Sequence, residues 1–66
     1  MKIIVNGEPR AVPDNFTAAR LIEHLELNGK RLAMEVNLEI VPRSTYETHL
    51  FSEGDKIEIV HAIGGG

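Results

Sequence analysis

The sequence predicts an α+β fold, with one helix laid across a mixed sheet of four or five strands. Three observations carry that expectation. An apolar, β-branched run at Ile3-Ile4-Val5 opens the chain and stops at Asn6-Gly7, the strongest short hairpin signal. One apolar stripe of helical spacing follows, Ala18, Leu21, Ile22 and Leu25, at i, i+3, i+4 and i+7. The apolar patterning after it has the period of strands.

Taken in order, residues 2–6 form a strand because Ile and Val suit a pleated surface. Asn6 and Gly7 both tolerate the positive φ of a type I′ turn, which leads into a second strand over 8–12. Pro9 cannot donate a ladder hydrogen bond, so this strand belongs on a sheet edge. Pro13-Asp14-Asn15 breaks it. Thr17 is placed to cap the helix, with Asp14 and Asn15 as rivals, and Asn28-Gly29 supplies its stop. Leu32, Met34 and Val36 then alternate with Ala33, Glu35 and Asn37, a strand with one buried face. Asn37-Leu38-Glu39 reads as a turn into a short strand at Ile40-Val41, which Pro42 ends. Residues 43–49 suggest a single helical turn with Tyr46 packed beneath it, and residues 52–55 a turn. The last strand, 56–62, turns Ile57 and Ile59 to one face and Glu58 and Val60 to the other.

A ferredoxin-like fold needs a second full helix, which this chain lacks. The β-grasp (ubiquitin-like) arrangement satisfies every element, with the first and last strands parallel at the centre of the sheet. Residues 1–63 make one domain, and residues 64–66 a flexible glycine tail.

Composition narrows the function. A domain of 66 residues buries only about 60% of the surface its unfolded chain exposes, which leaves no room for a deep catalytic cleft. Without cysteine there is no disulfide staple, no thiol nucleophile and no cysteine metal site. Any sulfur the protein handles must travel elsewhere than on a thiol side chain. Seven basic against ten acidic residues give a net charge of −3, which argues against nucleic acid as a partner and suits a basic one. The opening apolar run is too short for a signal peptide or a membrane span. The expectation is a cytoplasmic protein, away from membranes and monomeric when free.

The ending Gly64-Gly65-Gly66 is the outstanding feature. At a background near 7%, three glycines at a preassigned place are roughly a one-in-3,000 accident. A frayed end or cloning remnant is the bland reading, but the tail follows a strong strand with no polar spacer. Without Cβ atoms it can thread a channel too narrow for side chains. Three extended residues reach about 10 Å past Ile63, enough to deliver the Gly66 carboxylate into another protein. That carboxylate is anionic at neutral pH and resists nucleophiles. It can itself attack the α-phosphate of ATP to give an acyl adenylate, from which a sulfur nucleophile displaces AMP and leaves a thiocarboxylate. No glycine-rich loop opening a helix cradles ATP here. The activating enzyme is therefore expected to be a separate protein, and this chain its substrate.

The residues 54–66, Gly54-Asp55-Lys56-Ile57-Glu58-Ile59-Val60-His61-Ala62-Ile63-Gly64-Gly65-Gly66, resemble the ThiS family, the sulfur carriers of thiamine thiazole biosynthesis. So do Asn37-Leu38-Glu39-Ile40-Val41-Pro42-Arg43 and the opening Ile3-Ile4-Val5-Asn6-Gly7. The resemblance spans nearly the whole chain; the family usually ends in two glycines, and the third is a variation. It implies an E1-like (ThiF-like) adenylyltransferase that uses ATP and magnesium to activate Gly66. It also implies a persulfide sulfur donor such as a cysteine desulfurase, and a thiazole synthase (ThiG-like) that takes the sulfur. The chain itself would bind no cofactor and catalyse nothing. Tyr46 stands where an aromatic is common and is read as packing.

Around the tail, Gly64 and Gly65 are expected to thread the partner's active site. Val60 and Ala62 should face outward beside Ile4 and form, with Ile63, an apolar docking patch. The bland alternative is one lone surface valine. His24, His49 and His61 have no ligand spacing, so no metal site is expected, and Glu23 and Glu26 read as a solvated face. Two functional alternatives stay open: the same chemistry serving molybdopterin or a thiolated tRNA base, and a ubiquitin-like modifier joining Gly66 to a lysine. A plain binding module is the remaining option, and it would tolerate loss of Gly65 and Gly66.

Overall fold

The computed structural model describes residues 1–61. In chain order the elements are β1 (Lys2–Val5), β2 (Glu8–Ala11), α1 (Ala18–His24), β3 (Leu32–Val36), β4 (Glu39–Val41), a 3₁₀ turn (Arg43–Thr45) and β5 (Lys56–His61). The strands form one five-stranded sheet in the order β2-β1-β5-β3-β4. β5 pairs parallel with β1 and antiparallel with β3, so the last strand is central. This is the β-grasp arrangement that the sequence predicts.

The hairpins follow from their turn residues. Asn6 and Gly7 have φ of 49° and 84°, the two positive values of a type I′ turn. Asn37 and Leu38 repeat the pattern at 51° and 71°. Leu38 pays there for a conformation that suits glycine, and its side chain is 87% exposed. Pro9 sits opposite Ile4 on β2, an edge strand, as its missing donor requires. Pairing runs on past Ala11, because Val12 N–H donates to Met1 O at 2.8 Å and the amino terminus donates to Val12 O at 2.7 Å.

One face of the sheet and one face of α1 make the core. Alternation turns Ile3, Val5, Met34, Val36, Val41, Ile57 and Ile59 inward, where they meet Ala18, Leu21 and Ile22. Phe16, Tyr46 and Phe51 close the core from the loops. Leu25, on the expected stripe, is only half-buried.

Both ends of α1 are satisfied by specific partners. A helix leaves its first N–H groups without internal acceptors. Here Ala18 N–H donates to His49 O at 3.0 Å, Ala19 N–H to Tyr46 O at 2.9 Å, and Arg20 N–H to Thr17 Oγ1 at 3.2 Å. Thr17 is thus the cap, and Asp14 and Asn15 are not. The stretch after the 3₁₀ turn completes the helix N-terminus, and Phe51 N–H bonding to Phe16 O at 3.0 Å ties it down.

The helix ends earlier than Asn28-Gly29 would place it. Glu26 takes φ of 57°; its N–H donates to Glu23 O and that of Leu27 to Ile22 O, both at 3.0 Å. This is a Schellman stop with glutamate in the position glycine usually fills. Half-burial of Leu25 and Leu27 against the core accompanies it. Asn28-Gly29 instead forms a separate turn, closed by Lys30 N–H to Leu27 O at 3.1 Å. Among the described residues, no helix is long and apolar enough to cross a membrane.

Two expected outcomes test this account. Leu21→Ala removes a side chain that is 1% exposed and should cost about 2–5 kcal/mol in urea unfolding. Leu38→Gly should raise stability by about 0.5–1 kcal/mol, because relief of left-handed strain exceeds the added chain entropy. A lower midpoint for Leu38→Gly would show that the turn is not strained.

Candidate functional site at the end of the last strand

β5 carries the chain toward its C-terminal residues, so the site is built from what holds β5 and what surrounds its end. Its start is fixed by Asn37, whose N–H donates to Lys56 O at 2.8 Å and whose Oδ1 accepts from Lys56 N–H at 3.0 Å. Asn37 Nδ2 also donates to Asp55 Oδ1 at 3.0 Å.

The other end is fixed by Asn6. Along the parallel β1–β5 ladder, Ile4 N–H donates to Asp55 O and Asn6 N–H to Ile57 O, each at 2.9 Å. The next step falls at Ile59, but β1 has already turned away at Gly7. The Asn6 side chain fills that step: Oδ1 accepts from Ile59 N–H at 2.8 Å, and Nδ2 donates to Ile59 O at 3.2 Å. An amide side chain offers the same donor and acceptor as a peptide group, so it extends the ladder by one unit. Sequence reasoning read Asn6 only as a turn residue.

On the opposite side β3 continues to the end, with Ala33 across from Val60 and Leu32 across from His61. Val60 points away from the helix and is 64% exposed. Ile4 is half-buried and lies across from Lys56 and Pro9. Ile4 and Val60 therefore do not sit side by side: Val60 is four positions further along β5 than Lys56, about 13 Å at strand spacing. The neighbour of Val60 is Ala33. Ala62, Ile63, Gly64, Gly65 and Gly66 lie outside the described residues.

The same outer face has a local electrostatic conflict. Glu58 is directly across from Glu35, and like charges so placed are destabilising. Ile40, 75% exposed, lies across from Glu35 on the far side. Two carboxylates thus sit between the apolar side chains of Val60 and Ile40, an arrangement that folding alone does not favour.

The histidines serve packing where their surroundings are clear. His24 meets the Phe16 ring edge-on, with centroids 5.2 Å apart, and His49 meets Phe51 at 5.6 Å. Among the described residues no three His, Cys, Asp or Glu side chains gather as metal ligands would. A groove of about 320 Å³ runs beside the end of β5, lined by Val5, Leu25, Leu27 and Ile59 with Glu8, Arg10 and His61 among its polar residues.

With this geometry in view, the chain resembles known proteins closely. A model of the ThiS family matches residues 3–66. A thiazole synthase of Paramagnetospirillum magneticum is 44% identical over 66 residues, which are all of this chain and 20% of that protein. The chain thus spans about a fifth of the length of the thiazole synthases it matches. The sulfur carrier protein ThiS of Escherichia coli is 30% identical over the full length of both chains. The crystal structure of a thiamine biosynthesis protein (ThiS) from Geobacter metallireducens superposes with a TM-score of 0.82, at 26% identity and full coverage of both chains.

The Glu35–Glu58 conflict generates a stability prediction. Glu58→Lys turns the like pair into an opposite pair and should raise stability by about 0.2–1 kcal/mol in urea. An unchanged or lower value would mean that the two carboxylates do not repel across the strands.

Proposed function

The chain belongs to the ThiS family, and on that premise we propose that it is a sulfur carrier of thiamine biosynthesis whose reacting group is the Gly66 carboxylate. The observation that carries the reading is the joining of a glycine ending to a central strand pinned on both sides close to its last described residue.

In this reading the work divides between proteins. An E1-like enzyme, with ATP and magnesium, lets a Gly66 carboxylate oxygen attack the α-phosphorus; pyrophosphate leaves and an acyl adenylate forms. The terminal sulfur of a persulfide, supplied by a donor such as a cysteine desulfurase, attacks the acyl carbon and AMP departs. A thiol then cleaves the resulting S–S bond, releasing the thiocarboxylate and a disulfide. Thiazole synthase takes the sulfur from that thiocarboxylate. The chain contributes presentation: Gly64 and Gly65 pass a channel closed to side chains. Val60, with Ala62 and Ile63 following it in sequence, meets the partner, and Ile4 lies further down the sheet face that Val60 occupies. The Glu35–Glu58 pair suits a basic partner group, which would relieve its repulsion.

The test is genetic and biochemical. In a host strain lacking the gene, the full chain should restore growth without added thiazole, and the chain lacking Gly65 and Gly66 should not, although both fold. Val60→Lys should retain the wild-type urea midpoint and slow rescue, because it places a charge on the docking face. Rescue by the truncated chain would sink the carrier reading and favour a binding module.

A further inference from the structure

We propose that Asn6 is a positioning residue for the Gly66 carboxylate, acting through the backbone of Ile59; the proposal rests on the carrier reading above. The argument begins with mechanics. β3 holds the end of β5 along one edge only, through Ala33 and Leu32. A strand bonded along one edge can pivot about it. The second edge at this height has no strand, because β1 ends at Val5 and the chain turns at Asn6-Gly7. The two Asn6 side-chain bonds, 2.8 Å and 3.2 Å across a sequence separation of 53, are what fix that edge.

Their position gives them leverage. Seven residue steps separate Ile59 from Gly66, a reach of about 23 Å when extended in a partner. A swing of β5 at Ile59 changes the direction in which the strand points at His61, its last described residue, and a misplacement of about 1 Å at a reacting centre can cost a hundredfold in rate. The partner grips the tail and corrects part of any such swing. The sheet face must still dock in a fixed orientation while the carboxylate reaches the α-phosphate. Asn6 couples the two by locking β5 to β1 at the last point where β1 is present.

The fold supplies a matched control. Asn37 is also at positive φ and also binds β5 through its side chain, but at the strand's first residue. Asn6→Gly and Asn37→Gly each delete two side-chain hydrogen bonds without backbone strain, since glycine accepts positive φ. A purely structural role would show in the urea midpoint, where Asn6→Gly loses half-buried bonds and Asn37→Gly exposed ones, and would leave kcat of the folded chains alike.

The experiment follows initial rates of oxygen-to-sulfur replacement at Gly66, by mass spectrometry, in lysate of the host supplied with ATP and cysteine. Chain concentration is varied at a temperature where circular dichroism shows each variant folded. Asn6→Gly is expected to lower the apparent kcat about tenfold to a hundredfold and to change KM less than about threefold. Asn37→Gly should leave kcat within about twofold of wild type. Asn6→Asp, which keeps the bond from Ile59 N–H and removes the donor to its carbonyl, should lower kcat about threefold to tenfold; it serves where the glycine form does not fold. Equal kcat for Asn6→Gly and Asn37→Gly, or a loss confined to KM, would overturn the positioning role while the carrier reading stands. No replacement in the wild-type chain would overturn both.

Discussion

Ile59 lies beyond the point where β1 has turned away, yet both of its backbone groups are bonded, because the Asn6 amide supplies the donor and acceptor that a longer β1 would have provided. Much of the structure depends on that substitution. It lets β1 be short, so that the tight Asn6-Gly7 turn can send β2 back as a proline-bearing edge. It also lets β5 stay central and two-sided close to its last described residue. A buried backbone group left without a partner there would be costly. With the amide in place, every buried side-chain polar atom among the described residues also has a partner.

A chain this small has little core to spare, and it makes loops do what larger domains assign to further elements. The stretch after the 3₁₀ turn contributes Tyr46 and Phe51 to the core and two carbonyls to the helix N-terminus. The outer sheet face is left with features that do not help folding: an exposed valine, an exposed isoleucine and two glutamates at directly opposite strand positions. Such features concentrate where a surface serves a partner, and they lie on the face of the strand that leads to the glycines.

Much of this was legible in the sequence, for physical reasons. Local rules governed the Asn6-Gly7 turn, the edge placement of Pro9 and the alternation of β3 and β5, so residue type alone identified them; it left Asp14 and Asn15 beside Thr17 as caps, and the Arg20 N–H bond decides for Thr17. The parallel pairing of the first and last strands at the sheet centre followed because a single helix leaves few ways to cover a sheet. Three things were not legible. The helix stop fell on Glu26 rather than Gly29, since half-burial of Leu25 and Leu27 against the core accompanies a left-handed residue that local preference would not choose. The clamp at Ile59 joins residues 53 apart, and no local pattern encodes it. The separation of Ile4 from Val60 depends on register between β1 and β5, which alternation within each strand does not fix. The glycine ending is conspicuous in composition, and its residues lie outside the described part of the fold.

The central claim is that Gly66 bears the chemistry, and the most direct measurement is the intact mass of the untagged chain after incubation in its host's lysate with ATP and cysteine. The expected result is a gain equal to replacing one oxygen by sulfur, mapped by fragmentation to Gly66. Mapping is essential because oxidation of Met1 or Met34 adds nearly the same mass. A chain whose Gly66 remains a plain carboxylate while lysine conjugates of higher mass accumulate would contradict the account and identify a protein modifier instead.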